Sequence, residues 1–506
     1  MRAPALRPPG RRPSLDEAEG RGRGAPVSAA SEPGRALVAN TAAMVGARYV
    51  VAALGWAGTV LIVRHLSVEQ WGAFSFVFSL LGLLAVFTEL GLGRLAIKGL
   101  LDGEHDPATF AGTLVVLRGL LGLLAYLVAL AFVVVADYPG EVVRATAVAG
   151  LVVVLATPSH AVEGVFQANL QMGTVAVGNI LGQLAQIALV VALVSMGGSV
   201  VLLTVPAVVC EVVILVWKVR RVRRLHPIRL NVDLATWWAL LKEAAPLAAG
   251  VVLATLYFRV DAIMLSKLDD FTAVGIYGVA YKFVELFHYL PTAMMVPLLA
   301  LLVRAWPDDL ETFGDTFRRA LTLLVVVGTL VAVEFAVFAR PAISLLYGSH
   351  YAVGAQAARW VVAAECLSAL GRLAFTVLVA TGRYRLYPLA ALAGLATNVA
   401  LNLWLIPARS FVGAALATVL TEVLVVAIVL APVARMKALR PLPLGMVAVA
   451  LGAGALCAAV AVLAGGWLPW PLAAALSAVL YLAVVHLMHL SRGGGLHRLV
   501  SAPATS

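Results

Sequence analysis

The segment LSVEQWGAFS at Leu66–Ser75 has a counterpart about 200 residues later, LDDFTAVGIYG at Leu268–Gly278. Each copy begins with a leucine and a short acidic turn, and then has a glycine, an aromatic residue and a small residue. Self-similarity at a long, fixed distance indicates a repeated structural unit. The apolar stretches that surround the two copies therefore decide the fold.

These stretches dominate the composition of the chain. Hydrophobic residues make up 62% of the 506 residues and charged residues 12%, against about 45–50% and about 25% in soluble domains. The mean hydropathy is +0.97. A helix of about 20 residues spans the roughly 30 Å hydrocarbon core of a bilayer. The sequence predicts an all-α polytopic membrane protein, because the apolar runs lack the alternation of barrel strands.

Fourteen apolar stretches of suitable length can be counted, and the two copies of the repeat enter the second and the eighth. They lie at 40–63, 71–93, 110–135, 142–160, 174–195, 199–218, 244–266, 273–303, 320–340, 356–381, 386–406, 411–433, 441–463 and 469–489. Six spans separate the copies, and six is even, so both enter the membrane from the same side. This predicts two pseudo-symmetric six-helix bundles related by an axis along the membrane normal, followed by two extra helices.

The expected division of the chain follows from this count. It comprises a disordered cytoplasmic tail at 1–36, an N-terminal bundle at 37–220, a basic cytoplasmic linker at 221–243, a C-terminal bundle at 244–435, two extra helices at 436–490 and a cytoplasmic tail at 491–506.

Lysine and arginine set the predicted orientation. If the N-terminus is cytoplasmic, the inside segments hold 26 of these residues and the outside loops hold five. This asymmetry follows the positive-inside rule and places both termini in the cytoplasm. The net charge of +11 is therefore explained by topology, and the run KVRRVRR at 218–224 is interpreted as a stop-transfer and anionic-lipid contact. We expect no nucleic-acid partner.

The motifs of several enzyme classes are missing from the sequence. It has no P-loop motif for ATP and no zinc-protease motif, and its three cysteines all lie in apolar stretches. His486 and His489 lie three residues apart, which is a weak metal signal without a third ligand. We expect no cofactor and no metal, so transport or an intramembrane enzyme remains.

Charged residues inside the spans are the candidate functional groups, since each costs about 2.5–3.5 kcal/mol unless it finds water or a partner. Five cations are predicted to contact an anionic head group. Three lie nearer the predicted inner face and two nearer the outer face: Arg48, Arg118 and Arg372, and then Arg259 and Lys282. Arg359 lies near an interface and is expected to extend its guanidinium towards water.

Four acids are candidates for ion coupling: Asp261, Glu285, Glu365 and Glu422. Lys282 and Glu285 are three residues apart, so a structural salt bridge is an equal alternative for that pair. Arg259 and Asp261 are two residues apart and point to different sides of a helix, so each needs another partner. Glu89 and Arg94 are close enough in sequence to pair near the inner boundary.

Three pairs of segments carry a resemblance to a known family. They are HLSVEQWGAF at 65–74 with TELGLG at 88–93, YFRVDAIML at 257–265 with GIYGVAYK at 275–282, and NVALNLWLIP at 398–407 with GAALAT at 413–418. Together they resemble the polysaccharide-type lipid-linked oligosaccharide flippases of the multidrug/oligosaccharidyl-lipid/polysaccharide exporter superfamily. The likeness covers about residues 38–435. One departure is Ala408–Ser410, which replaces a glycine-containing turn.

The resemblance implies a bacterial inner-membrane flippase. Such proteins move undecaprenyl-pyrophosphate-linked sugars from the inner to the outer leaflet by alternating access, and Arg259 matches the family's Arg-x-Asp in span seven. Membrane lipids, the polyprenyl-pyrophosphate-linked glycan and polysaccharide polymerase or assembly proteins are the implied partners.

Three alternatives remain open from the sequence. An ion-coupled multidrug or cation antiporter on the same fold would need an acid in the first span, where this chain has Arg48. A peptidoglycan lipid-precursor flippase is a closer relative that composition does not exclude. An intramembrane glycosyltransferase or polymerase would need long outer loops with catalytic residues, and the predicted outer loops are short.

Overall fold

The structure is a computed structural model that describes residues 32–89, 91–101, 106–169, 171–224 and 228–490. Side chains are described from Tyr49 onwards within these ranges, except at 94, 246, 247, 249, 290, 489 and 490. The described residues form fifteen α-helices and no strand: α1 Glu32–His65, α2 Val68–Glu89, α3 Leu92–Leu101, α4 Pro107–Val135, α5 Gly140–Ala149, α6 Leu151–Ala168, α7 Met172–Ser195, α8 Val200–Val222, α9 Leu234–Leu268, α10 Phe271–Ala305, α11 Leu310–Tyr347, α12 Ala355–Ala380, α13 Leu386–Ala434, α14 Leu444–Ala464 and α15 Trp470–Leu490.

Eleven continuous helical segments in the described part of the chain are long and apolar enough to cross a membrane, with α5 and α6 together forming one of them. A twelfth is α9, whose parts Leu234–Ala245 and Gly250–Leu268 meet at 69°. Counting α13 as two spans gives thirteen, and adding α1 gives fourteen, which is the number that the sequence predicts. The all-α membrane class is confirmed.

Helix α13 counts twice because the chain folds back on itself at Ser410, which has a φ of 53° and a ψ of −139°. A Cβ on Gly413 would lie only 2.0 Å from the carbonyl oxygen of Leu405. Further along the same pair, the methyl carbons of Val425 and Thr421 lie beside Gly394. These contacts are those of two antiparallel helices in close contact.

Aspartate side chains cap the N-termini of four helices. The side chains of Asp106, Asp233, Asp270 and Asp309 accept backbone N–H groups in the first turns of α4, α9, α10 and α11. These N–H groups have no partner within the helix, so each cap stabilises a helix end. Hydrogen bonds from the hydroxyl and the N–H of Thr109 hold the pKa of Asp106 below its ordinary value.

The two copies of the sequence repeat pack against each other where α2 crosses α10. A Cβ on Gly72 would lie 1.7 Å from the carbonyl oxygen of Phe271, and one on Gly275 would lie 2.2 Å from that of Val68. Gly72 and Gly275 occupy the same position in the two copies, so the contact is reciprocal. The glycines of the repeat are therefore the residues that allow the two bundles to touch.

Further contacts close the same end of the molecule, which holds the α1–α2, α4–α5 and α9–α10 turns and is called here the closed end. Arg64 Nε donates to the carbonyl oxygen of Leu346 at 2.8 Å. The hydroxyls of Tyr138 and Ser266 are 2.8 Å apart. These bonds join residues from the first half of the chain to residues from the second.

At the opposite end, the first part of α9 rests on the first bundle. Lys98 Nζ lies 3.0 Å from Glu243 Oε1, and Trp237 Nε1 donates to the carbonyl oxygen of Thr113 at 3.1 Å. Helix α9 begins at Leu234, so part of the segment predicted as a linker is helical. Because its second part belongs to the other bundle, α9 connects the two.

The two extra helices, α14 and α15, pack on α11. Ser477 Oγ donates to Glu334 Oε1 at 2.5 Å, and the Tyr481 hydroxyl donates to the carbonyl oxygen of Val326 at 2.9 Å. Glu334 therefore accepts a hydrogen bond that holds α15 against α11.

Candidate functional site

A cavity of about 670 Å³ lies between the two bundles. Its lining extends from Ile62 and Trp71 near the closed end to Tyr387, the second residue of α13, near the opposite end. The walls come mainly from α1, α2, α7, α8, α9 and α10. The cavity lies within the roughly 300–1,000 Å³ range of small-molecule sites in proteins.

Arg259 projects into this cavity from α9 and is exposed there. Its guanidinium lies over Gly82 of α2, where a Cβ would be only 2.9 Å from Cζ. Within the described part of the chain, no carboxylate lies within ion-pair distance of it. Arg259 is therefore an exposed cation in the cavity, and its contact with an anionic head group stays a prediction.

Lys282 and Glu285 also line the cavity from α10, but they neutralise each other. Lys282 Nζ lies 2.8 Å from Glu285 Oε2. The Glu285 side chain is about half exposed and that of Lys282 is 23% exposed. The pair is accessible to water and can exchange its partner for a ligand charge at modest cost, because exposed ion pairs contribute only about 0–1 kcal/mol.

His288 lines the same side of the cavity and also contacts a buried acid. Its Nδ1 lies 3.2 Å from Oε1 of Glu365, which is 3% exposed. The same carboxylate oxygen accepts a bond from Arg372, whose other terminal nitrogen donates to Ser368 Oγ at 3.0 Å. Arg372 is not among the residues that line the cavity, so the geometry places it as the partner of Glu365.

Arg118 also lies away from the cavity. It is 2% exposed, and its guanidinium is 3.2 Å from Glu89 Oε1. Glu89 therefore has Arg118 as a partner, while the Arg94 side chain predicted for that role lies outside the described residues. The side chain of Arg48 also lies outside them, as does that of His489.

Lys218, the first residue of the basic run at 218–224, is buried rather than facing lipid. It is 2% exposed, and its Nζ lies 2.9 Å from Glu163 Oε2 and 3.1 Å from Ser159 Oγ. Arg221 of the same run lies over the Trp217 ring, 4.5 Å from its centroid.

Asp261, two residues from Arg259, lies at the centre of a buried polar cluster. One carboxylate oxygen accepts from the Tyr277 hydroxyl at 2.7 Å and from Thr418 Oγ1 at 2.8 Å. The other accepts from Asn402 Nδ2 at 2.7 Å, and Asn402 also donates to Asn398 at 2.9 Å. These residues come from α9, α10 and both halves of α13.

The chemistry of this cluster suits a small hard cation or a proton. Its potential ligands are carboxylate, amide and hydroxyl oxygens, which hard cations prefer. The Oδ1 atom of Asn402 is buried without a hydrogen-bond partner in the described residues. Glu422 is also 3% exposed, and no hydrogen bond reaches it from the described side chains.

Several uncharged or weakly basic cavity residues are absent from the sequence-based predictions, because those predictions considered only charged side chains within the spans. Gln183 and Gln186 line the cavity from α7, and His288 lines it from α10. Aromatic rings form much of the remaining wall: Trp71, Phe74, Phe78, Phe258, Tyr281 and Tyr289. One sequence feature could have predicted the glutamines: two primary amides lie three residues apart within an apolar span.

Residues 37–302, more than half of the chain, match the model of a family described as polysaccharide biosynthesis protein. The chain belongs to this family. No curated protein matches it in sequence. Family membership and fold together agree with the resemblance carried by the sequence motifs.

Solved structures share the fold of this polysaccharide biosynthesis family member at low identity. A lipid II flippase MurJ in an inward closed conformation has a TM-score of 0.72 at 15% identity, covering 89% of this chain and 99% of that chain. An inward-facing multidrug resistance MATE family transporter has a TM-score of 0.63 at 14% identity, covering 76% and 94%. An outward-facing multidrug resistance MATE family transporter has a TM-score of 0.56 at 15% identity, covering 81% and 97%. These proteins are a flippase and transporters rather than enzymes.

Proposed function

We propose that this protein is a flippase that moves lipid-linked oligosaccharide, carried on undecaprenyl pyrophosphate, from the inner to the outer leaflet for surface polysaccharide biosynthesis. The observation that carries the proposal is the cavity between the bundles, into which Arg259 projects without a described carboxylate partner. An arginine fork matches the geometry of phosphate oxygens.

The head group of the lipid needs a polar cavity in order to cross the membrane. A sugar–pyrophosphate head cannot cross hydrocarbon unaided, because its charges and hydroxyls would lose their hydrogen bonds to water. A polar cavity between two bundles replaces that water while the polyprenyl tail stays in the lipid. Arg259 receives the pyrophosphate, and Lys282 is released from Glu285 to assist it.

Alternating access follows from the two ends of the molecule. The closed end is sealed by the Gly72–Gly275 contact, and the cavity lining continues towards the opposite end. We place that opposite end on the cytoplasmic side, with both termini there, because the lysine and arginine distribution follows the positive-inside rule. The bacterial inner membrane is part of the proposal and comes from the family resemblance. A rocking motion of the two bundles that opens the closed end would then expose the head group to the outer leaflet.

Asp261 is the proposed ion-coupling residue. It is 1% exposed and joined to three hydrogen-bond donors, and it lies two residues from the proposed phosphate ligand. Binding or release of a cation at Asp261 changes the packing of α9 against α10 and α13, which is a physical route from an ion gradient to the cavity. Glu365 and Glu422 are weaker candidates, because Arg372 already pairs with Glu365 and no described side chain forms a hydrogen bond with Glu422.

Two other functions are the alternatives to this one, and the cavity chemistry weighs against the first of them. A multidrug or cation antiporter needs an available acid for its cationic substrate, whereas the two acids that line this cavity, Asp261 and Glu285, already have partners. A peptidoglycan lipid-precursor flippase is the second candidate, favoured by the fold match to the lipid II flippase structure. Both flippase candidates take a polyprenyl-pyrophosphate-linked sugar, so they differ only in the glycan.

The test is transport by the purified full-length protein in proteoliposomes loaded with a fluorescent undecaprenyl-pyrophosphate-linked oligosaccharide. Arg259→Glu should abolish flipping, because it places a negative charge where the pyrophosphate binds. Arg259→Lys should retain part of the activity, because it keeps the charge but loses the bidentate geometry. Arg359→Glu is the matched control, since Arg359 is an exposed arginine of α12 outside the cavity lining. Normal flipping by Arg259→Glu would contradict the proposal.

A further inference from the structure

Gln183 and Gln186 of α7 form a polar feature that the proposed phosphate site leaves unused. They lie three residues apart, so they share one face of the helix, and both line the cavity. Gln183 is 8% exposed. Neither amide has a hydrogen-bond partner among the described residues.

The amide atoms of Gln183 and Gln186 are not enclosed, because both side chains line the cavity. Each amide can therefore exchange hydrogen bonds with water for hydrogen bonds with a ligand. Gly55 of α1 leaves room beside Gln183, because a Cβ there would lie 3.6 Å from Nε2. A Cβ on Gly58, one turn further along α1, would meet nothing within 4 Å. The α1 side of the cavity beside Gln183 therefore has room for a ligand.

The two walls of the cavity differ in charge. Arg259 and Lys282 belong to α9 and α10, whereas the glutamines belong to α7 in the other bundle. Each primary amide offers two donors and one carbonyl acceptor, which suits a ligand whose groups both donate and accept. Sugar hydroxyls have this property, and phosphate oxygens only accept at neutral pH. The aromatic rings that also line the cavity present apolar surface to the C–H faces of a sugar ring.

We propose that Gln183 and Gln186 form a carbohydrate subsite that binds the sugar part of the transported lipid while Arg259 binds its pyrophosphate. The proposal rests on the proposed flippase function and adds to it a basis for selectivity. A carrier lipid without sugar offers the two amides no hydroxyl groups to bind, so the protein distinguishes a loaded carrier from an empty one. Sites built to hydrogen-bond a hydroxyl reject ligands that lack it for this reason.

The experiment compares binding of two kinds of lipid to the purified full-length protein in nanodiscs. One is undecaprenyl pyrophosphate without sugar. The other is a panel of undecaprenyl-pyrophosphate-linked disaccharides whose first sugar is a hexose, an N-acetylhexosamine or a hexuronic acid. The variants are Gln183→Met and Gln186→Met, singly and together, because methionine keeps the length but loses the hydrogen bonds. Gln167→Met is the matched control, since Gln167 is exposed on α6 outside the cavity lining.

The wild-type protein should bind at least one glycosylated lipid more tightly than the sugar-free lipid. The double variant should lose about tenfold or more of its affinity for that glycosylated lipid and keep its affinity for the sugar-free one. Arg259→Glu should weaken the binding of both. A purely structural role of the glutamines would lower the unfolding temperature and weaken both lipids equally, which would overturn the subsite.

The remaining outcomes separate the two proposals. If wild-type protein binds all the lipids equally and the double variant does the same, the subsite is wrong and the flippase proposal stands. If wild-type protein binds none of them, the flippase proposal fails and the subsite fails with it.

Discussion

Ser410 is the residue that turns α13 back on itself. Its φ of 53° and ψ of −139° resemble the first central position of a type II′ turn, where glycine dominates because a Cβ is strained. A non-glycine residue in such a conformation costs about 1–3 kcal/mol.

We therefore predict that Ser410→Gly stabilises the protein by about 1 kcal/mol. The measurement is the thermal unfolding temperature of the purified protein in detergent, which should rise. Ala408→Gly is the control, because Ala408 is exposed and helical, and glycine there should lower the unfolding temperature. An unfolding temperature for Ser410→Gly at or below that of the wild type would show that the turn is not strained.

At the same scale, the sequence distinguished Arg259 from the other intramembrane cations only in part. The Arg-x-Asp spacing predicts that Arg259 and Asp261 need separate partners, and the structure gives Asp261 a buried cluster and leaves Arg259 in the cavity. The sequence predicts Arg118 as a head-group ligand nearer the inner face, from its depth and its isolation as the one charged residue of its span. Its partner Glu89 comes from another helix, 29 positions away in the chain, and such a pairing is invisible to local spacing.

At the scale of elements, the α2–α10 contact controls the closed end. Replacing Gly72 with alanine places a Cβ 1.7 Å from the Phe271 carbonyl oxygen, so the two helices must separate. Overpacking of this kind costs about 1–3 kcal/mol, and the cost applies only to the conformation in which the helices touch. Gly72→Ala should therefore shift the population towards states that are open at the closed end.

This prediction can be measured by cysteine labelling. Thr59 lines the cavity, so a Thr59→Cys reporter can be placed in a background without the three native cysteines. An impermeant maleimide is then added from the closed-end side. The reporter should react several-fold faster when Gly72→Ala is present. Gly119→Ala serves as the control, because a Cβ on Gly119 meets nothing within 4 Å. Equal labelling in all three backgrounds would mean that the contact does not gate the cavity.

At the scale of the whole molecule, the Asp261 cluster joins helices that must move for transport. We predict that a coupling ion stabilises the wild-type protein and that Asp261→Asn removes this effect, because the neutral amide no longer attracts a cation. Thermal unfolding with and without sodium ions, and at low and neutral pH, identifies the ion. Asp315→Asn is the control, since Asp315 pairs with Arg318 at the surface. An ion response that survives in Asp261→Asn would place the coupling site elsewhere.

The sequence by itself determined the class of the protein, the number of spans, the repeat and its glycines, because lipid solvation demands long apolar helices and because close helix packing demands residues without a side chain. Only the tertiary structure decided which charges face the cavity and which are consumed in pairs. It also revealed the two α7 amides and the oxygen cluster around Asp261. The reason is physical: a helix periodicity reports which residues share a face, but the partner of a buried polar group is supplied by another helix, whose position depends on how all the spans pack together.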